Sequence, residues 1–345
     1  MKFNTKCVHG GGKPDSTGAI SPAIYMSSTF THPGLGETTG FQYTRESNPT
    51  RDRLETLIAG LEEGTDAIAF SSGMAAVDAV FHLFSPGDHV ILGDDLYGGS
   101  IRLFTNIYEK NGVEFTYVGT SDLDTVQAAF KPNTKAVYIE TPTNPMMEIT
   151  DVRALSKMAH DRNALVIVDN TFLSPYFQKP LTLGADIVVH SGTKFIGGHH
   201  DVISGFTIVK DDELAAQLRL IYKTVGACLS AFDSWLVIRG IKTLALRMEQ
   251  HQKNAIALAE WLKQEPKVTK VLFPGLPEHP GYEVNKSQTT GFGGMLSFEV
   301  DSEETAKQVL EGIQLIQFAE SLGGTESLLT YPVTQTHPDL KPEDA

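Results

Sequence analysis

"ALVIVDNTFLSPYFQKPLTLGADIVVHSGTK", residues 164–194, holds two short apolar runs, and each ends on residues able to do chemistry. The first run closes on Asp169. The second leads into Ser191, Thr193 and Lys194, with a pair of glycines three residues beyond the lysine. Runs this short and β-branched read as strands apolar on both faces, which is the pattern of a parallel sheet covered on two sides.

The same pattern extends outward. "DAIAF", "HVILG", "EFTYVG" and "KAVYIE" are further apolar runs between Asp66 and Glu140. Helix-like segments such as "GMAAVDAVFHLF", "IRLFTNIYEKNG", "DLDTVQAAF" and "VRALSKMAHDRN" separate them. Alternation of this kind predicts an α/β fold with a large, mostly parallel sheet. Residues 1–50, rich in Gly, Pro, Ser and Thr over much of their length, are expected to form an extended N-terminal arm, neither basic nor helical. Residues 51–234 form the expected α/β domain, and a smaller α+β domain is expected over 235–345, after a long helical stretch from about Ser230 to Lys263.

Composition narrows the partners. A net charge of −14 with no basic cluster argues against nucleic acid and anionic membranes, which require a basic surface. No apolar run approaches the ~18 to 20 residues of a membrane span. Two cysteines far apart, Cys7 and Cys228, with no secretory signal, point to packing roles and a cytoplasmic setting.

In a parallel α/β sheet, ligands gather at the carboxyl ends of the strands. Four groups fall there: Ser71, Ser72 and Gly73 before a helix; Tyr97; Asp169; and Ser191, Thr193 and Lys194. A Ser-Ser-Gly turn at a helix N-terminus offers amides and a dipole to a phosphate, and the Ser191 and Thr193 hydroxyls add to that cradle. An aspartate can hold a protonated ring nitrogen and a tyrosine can stack on the ring. A desolvated lysine amine forms Schiff bases with carbonyls. Together these describe a site for pyridoxal 5'-phosphate (PLP). His199, His200 and Asp201 are consecutive and cannot converge on one ion without distorting their loop, so no metal is expected.

The motifs "FQYTRESNPTR", "FSSGMAA", "DDLYGG", "ETPTNP", "VDNTF", "HSGTKFIGGHHDVISG", "FDSWLVIRGIKTLALRM" and "AESLGGTESL" give the chain a resemblance, over residues 5–337, to the PLP enzymes of cysteine and methionine metabolism. That family includes cystathionine γ-synthases, γ- and β-lyases, methionine γ-lyases and O-acetylhomoserine sulfhydrylases. The resemblance implies fold type I and a homotetramer of two dimers with shared active sites. It implies that Lys194 carries the cofactor, Asp169 pairs with its ring nitrogen and Tyr97 stacks on it. The amides of Gly73 and Met74, with Ser72, Ser191 and Thr193, would hold the phosphate. Tyr43 and Arg45 would reach the phosphate in the neighbouring subunit, and Asn144 and Ser321 would bind the substrate carboxylate.

Within the family, methionine γ-lyases resemble a version with cysteine two residues after the stacking tyrosine, where this chain has Gly99. Many bacterial β-lyases carry an aromatic residue where Leu322 stands. The stretches "HPGLGETTGFQYTRESNPTR", "RMEQHQKNAIALAEWL" and "SLLTYPVTQTH" look most like bacterial cystathionine γ-synthases. The resemblance thus favours γ-replacement of an O-acylhomoserine by cysteine or sulfide, with cystathionine cleavage as the alternative. An aminotransferase and a non-catalytic relative are the remaining readings. Family members usually continue about forty residues past "THPDL", through an arginine suited to bidentate carboxylate binding. The small domain is therefore expected to be incomplete, and the chain to bind PLP but turn substrate over poorly.

Overall fold

The computed structural model describes residues 1–335. Seven strands build the main sheet: β1 (Asp66–Phe70), β2 (His89–Gly93), β3 (Glu114–Val118), β4 (Thr134–Glu140), β5 (Leu165–Asp169), β6 (Ile187–Ser191) and β7 (Gly205–Val209). Their spatial order is β1-β7-β6-β5-β4-β2-β3. Helical crossovers make β2 to β6 parallel, as expected. β7 runs antiparallel to both β1 and β6. It follows β6 through the loop 192–204, which contains no helix, so the chain returns in the opposite sense.

Both faces of the sheet are buried. Ile68, Phe70, Val90, Leu92, Tyr138, Ile167 and Val189 point into one core beneath the helices Gly73–Phe81 and Asp212–Val225. Alternate residues, among them Val137, Val166, Val188 and Phe206, pack into cores on the other face. The helices Pro49–Glu62, Val152–His160 and Ala231–Ile241 cover that second face.

Three expectations need correction. The N-terminal stretch is not extended throughout: Phe3–His9 is helical and seats Cys7 in the core, and the helix Pro49–Glu62 already begins within it. Pro49 suits a first helical position, where no amide is needed, and the Asn48 side chain caps the Thr50 amide. The helical stretch 230–263 is two helices, Ala231–Ile241 and Leu244–Leu262, broken at Lys242 and Thr243. The run "GFTIV" is a seventh, fully buried strand.

Residue 235 lies inside the helix Ala231–Ile241, whose Val237, Ile238 and Ile241 belong to the core under the large sheet. Beyond it, β8 (Val268–Leu272) pairs antiparallel with β9 (Ser297–Val300), and Phe273 and Leu276 pack on Ala255 and Ala259 of the preceding helix. The last residues of the small domain, from 336 on, lie outside the described residues, as does the expectation about its completeness.

Candidate active site

The reversal at β7 sets the geometry of the sheet's active edge. Phe70, Ser191 and Gly205 lie in one row across β1, β7 and β6. The Ser71–Gly73 turn that leaves β1 therefore stands directly beside Ser191. Ser72 caps the helix Gly73–Phe81, its hydroxyl oxygen accepting from the Ala75 amide at 3.0 Å. The first amides of that helix, those of Gly73 and Met74, are left to point out of its N-terminus. A Cβ on Gly73 would lie 2.9 Å from Ser191 Cβ and 3.0 Å from its hydroxyl oxygen, so the helix start and the Ser191 hydroxyl close on one space. A Cβ on Gly205 would lie 2.1 Å from the Ser72 carbonyl oxygen. Glycine at both positions is what lets this cradle form.

Asp169 ends β5 on the same face as Ile167 and Tyr138. Its Oδ1 accepts the Thr171 amide at 2.9 Å, and the Thr171 hydroxyl accepts the Ser191 amide at 2.8 Å. Thr171 thereby ties the acid to the cradle. Desolvation raises the Asp169 carboxyl above the usual range, and the hydrogen bonds from Thr171 oppose it. The acid has no hydrogen-bonded cation among the described residues, which is the partner a protonated ring nitrogen would provide.

Lys194 sits in the loop after β6. Its carbonyl accepts the Gly198 amide at 2.8 Å, and its amine donates to Ser321 Oγ at 2.9 Å. Burial holds the amine below the usual lysine range, with Glu320 opposing. Ser321 is left-handed at φ 88°, an uncommon conformation for a side-chain-bearing residue. Two residues on, a Cβ at Gly323 would meet the Phe195 nitrogen at 2.5 Å, so the Ser321 loop rests on the Lys194 backbone itself. From the other side, Arg247 donates to Phe195 O at 2.7 Å and to Gly240 O at 2.9 Å. It is a buried guanidinium bonded to carbonyls rather than to a carboxylate.

Tyr97 caps the short helix Gly98–Leu103 after β2. Its amide donates to Glu140 Oε1 at 3.0 Å. A Cβ on Gly99 would lie 2.4 Å from the Tyr97 ring, so the ring lies against the bare Gly99 backbone.

The remaining candidates are placed less directly. The Thr193 hydroxyl is engaged with Ser204, donating to its carbonyl at 3.2 Å and accepting its amide at 3.1 Å. Asn144 lies half-buried in the loop after β4, with no hydrogen-bond partner for its amide among the described residues. Arg45 donates to Lys223 O and stands 5.5 Å from the Tyr43 ring centroid; these contacts lie on the arm and on the helix Asp212–Val225. His199 Nδ1 bonds Gly197 O at 2.8 Å, while His200 faces Glu326 at 3.8 Å. The fold thus brings Ser72, Gly73, Met74, Asp169, Ser191, Thr193, Lys194 and Ser321 to one edge of the sheet. Glu140, Thr171, Gly205 and Arg247 join them without having been singled out from sequence. Of these, only Glu140 and Thr171 carried a signal, as a polar residue ending or just following an apolar run.

An anion cradle, a half-buried acid with no hydrogen-bonded cation among the described residues and a half-buried amine fit PLP. Residues 4–345 match the family described as Cys/Met metabolism PLP-dependent enzyme. The chain is 49% identical over 342 residues to cystathionine β-lyase of Lactococcus lactis, covering 99% of this chain and 90% of that protein. It is 49% identical over 340 residues to cystathionine γ-synthase of Haemophilus influenzae, covering 98% and 88%. Its structure superposes with TM-score 0.98 on cystathionine γ-lyase from Lactobacillus plantarum in complex with L-serine, at 46% identity, covering 100% and 90%. The fold is that of the fold type I PLP enzymes, the cofactor is PLP, and the chain belongs to the Cys/Met metabolism family of PLP-dependent enzymes, whose trans-sulfuration members make or break carbon–sulfur bonds.

Proposed function

We propose that this enzyme replaces the γ-substituent of an O-acylhomoserine with the sulfur of cysteine, or of sulfide, giving cystathionine or homocysteine. The Cγ–O bond breaks with its electron pair leaving on the carboxylate, and the thiol sulfur forms the new Cγ–S bond as its proton is released. PLP supplies the electron sink that makes the substrate's Cα–H acidic. Asp169 would hold that sink's ring nitrogen protonated, while Tyr97 covers the ring. Lys194 would take the proton from Cα and move one at Cβ; its lowered proton affinity suits a base. Ser321, which holds the Lys194 amine, and Asn144 would orient the substrate carboxylate.

The reading rests on the stretches "HPGLGETTGFQYTRESNPTR", "RMEQHQKNAIALAEWL" and "SLLTYPVTQTH". Gly99 against the Tyr97 ring narrows it further, because a cysteine there, as in methionine γ-lyases, would need the ring to shift. Leu322, packed against the core around Phe195, likewise stands where many β-lyases have an aromatic residue. Cystathionine cleavage is the second reading, favoured by the lyase names of the Lactococcus and Lactobacillus relatives. The deciding assay follows products from O-acetylhomoserine, O-succinylhomoserine and cystathionine, each with and without cysteine. Cystathionine formed from an ester and cysteine supports the proposal. Cleavage of cystathionine with no synthesis from either ester overturns it.

We also propose a homotetramer in which Tyr43 and Arg45 serve the neighbouring subunit's phosphate. Their place in the N-terminal segment, far in sequence from the other phosphate-binding candidates, supports the reading. The substrates would be small amino acids, with neither nucleic acid nor membrane as partner. Among the described residues no helix is long and apolar enough to cross a membrane.

A further inference from the structure

Glu140 and Asp169 occupy paired positions at the ends of adjacent parallel strands, β4 and β5. Paired residues of a parallel sheet face the same way, so two carboxyl groups stand side by side at the edge where the ring nitrogen would sit. Glu140 is 7% exposed, and no cation bonds to it among the described residues. Its hydrogen bond goes to the Tyr97 main-chain amide. Tyr97 itself is 42% exposed, and its ring is bounded by the Gly99 backbone, so the ring's height above the sheet depends on where its main chain is held.

We infer that Glu140 is a positioning residue of this site: its carboxyl, seated beside Asp169, anchors the main chain of Tyr97 and acts as an uncharged acceptor. The inference rests on Tyr97 and Asp169 being cofactor contacts. Two enclosed carboxylates side by side repel, and the one without a cationic partner takes the proton. The groups facing Glu140 agree with this. Desolvation raises its carboxyl well above the usual range, the Asp169 and Asp95 charges raise it further, and only the Tyr97 amide opposes. Tyr138, on the same face of β4, is a neutral phenol. Asp169, given a cationic ring nitrogen, would keep the negative charge. The Glu140–Asp169 pair would then hold one negative charge rather than two.

The test compares Glu140→Gln with Glu140→Leu in the full chain. The readouts are the PLP dissociation constant, the visible absorption band of the loaded protein, and that band's pH midpoint. Glutamine keeps an acceptor and carries no charge, so affinity within about threefold of wild type and an unmoved midpoint are expected. Leucine leaves the Tyr97 amide without its partner, and affinity about ten- to a hundredfold weaker is expected. Wild-type affinity in a folded Glu140→Leu protein overturns the positioning role, and a midpoint moved by a unit or more in Glu140→Gln overturns the uncharged state. Loss of thermal stability in the cofactor-free leucine variant, with affinity unchanged, makes Glu140 merely structural and also overturns it. Should Glu140→Leu not fold, Glu140→Asp, which draws the acceptor back by one methylene, is read by the same criteria. Tyr97→Ala and Asp169→Ala are run alongside. If neither of them weakens PLP binding, the underlying site reading fails; if they do and the Glu140 variants do not, this inference alone fails.

Discussion

The Lys194 amine and the Ser321 hydroxyl, 127 residues apart in sequence, meet at 2.9 Å. That contact joins the loop between β6 and β7 to a segment of the small domain beyond β9, so the amine's position reports on both parts of the chain. Ser321 reaches it from a left-handed backbone, and Gly323 lets the same loop lie on the Lys194 main chain. The lysine is held at its tip and at its base by one loop.

Burial of this amine has a measurable consequence. Its proton affinity is lower in the folded protein than in the unfolded chain, so the unfolded state binds more protons between the lowered value and 10.5, and stability rises with pH across that window. Cofactor-free Lys194→Met should therefore be more stable than cofactor-free wild type at neutral pH. The gap should narrow as pH approaches 10.5. Urea denaturation at several pH values checks the sign.

Asp169→Asn should bind PLP within roughly tenfold of wild type and lose most of its turnover, because an amide cannot hold the ring nitrogen protonated. Turnover within a few-fold of wild type in steady-state assays would assign that task to another group.

Gly205→Ala tests the cradle. The added methyl would meet the Ser72 carbonyl, which is backbone and cannot rotate away. An overpacking cost of about 1–3 kcal/mol is expected, together with weaker PLP binding. Thermal unfolding and equilibrium dialysis measure the two effects separately.

The reach of sequence reasoning follows from what each residue needs. Asp169, Ser191, Lys194 and Tyr97 each follow an apolar run, so local pattern was enough to place them at the strand ends. β7 escaped because "GFTIV" follows a helix-free loop and breaks the alternation of strand and helix. Glu140 stood in plain view after its strand, but its meaning depends on the pairing with Asp169, which is a tertiary fact. Arg247 looks like one more charge on the amphipathic helix Leu244–Leu262, and only folding turns its guanidinium toward Phe195 and Gly240.

Arg247→Met should cost about 2–4 kcal/mol, since it strips buried carbonyls of a charged donor. The same burial lowers the guanidinium to about 10, so the unfolded chain binds more protons above that value and wild-type stability relative to the variant should not fall as pH rises toward it. Denaturation of wild type and variant near neutral pH and near pH 10 checks both statements.

Shared sites can be tested by mixing. Arg45→Ala and Lys194→Ala subunits, each inactive alone, should regain part of the activity after subunit exchange, because some hybrid sites would be whole. Verified exchange with no recovery would place both residues in the same subunit's site.

The most direct measurement is borohydride reduction of the PLP-loaded protein followed by peptide mapping. The cofactor should be found fixed to Lys194, and Lys194→Ala should show neither fixation nor turnover. Fixation at any other lysine, with turnover retained in Lys194→Ala, would contradict the account.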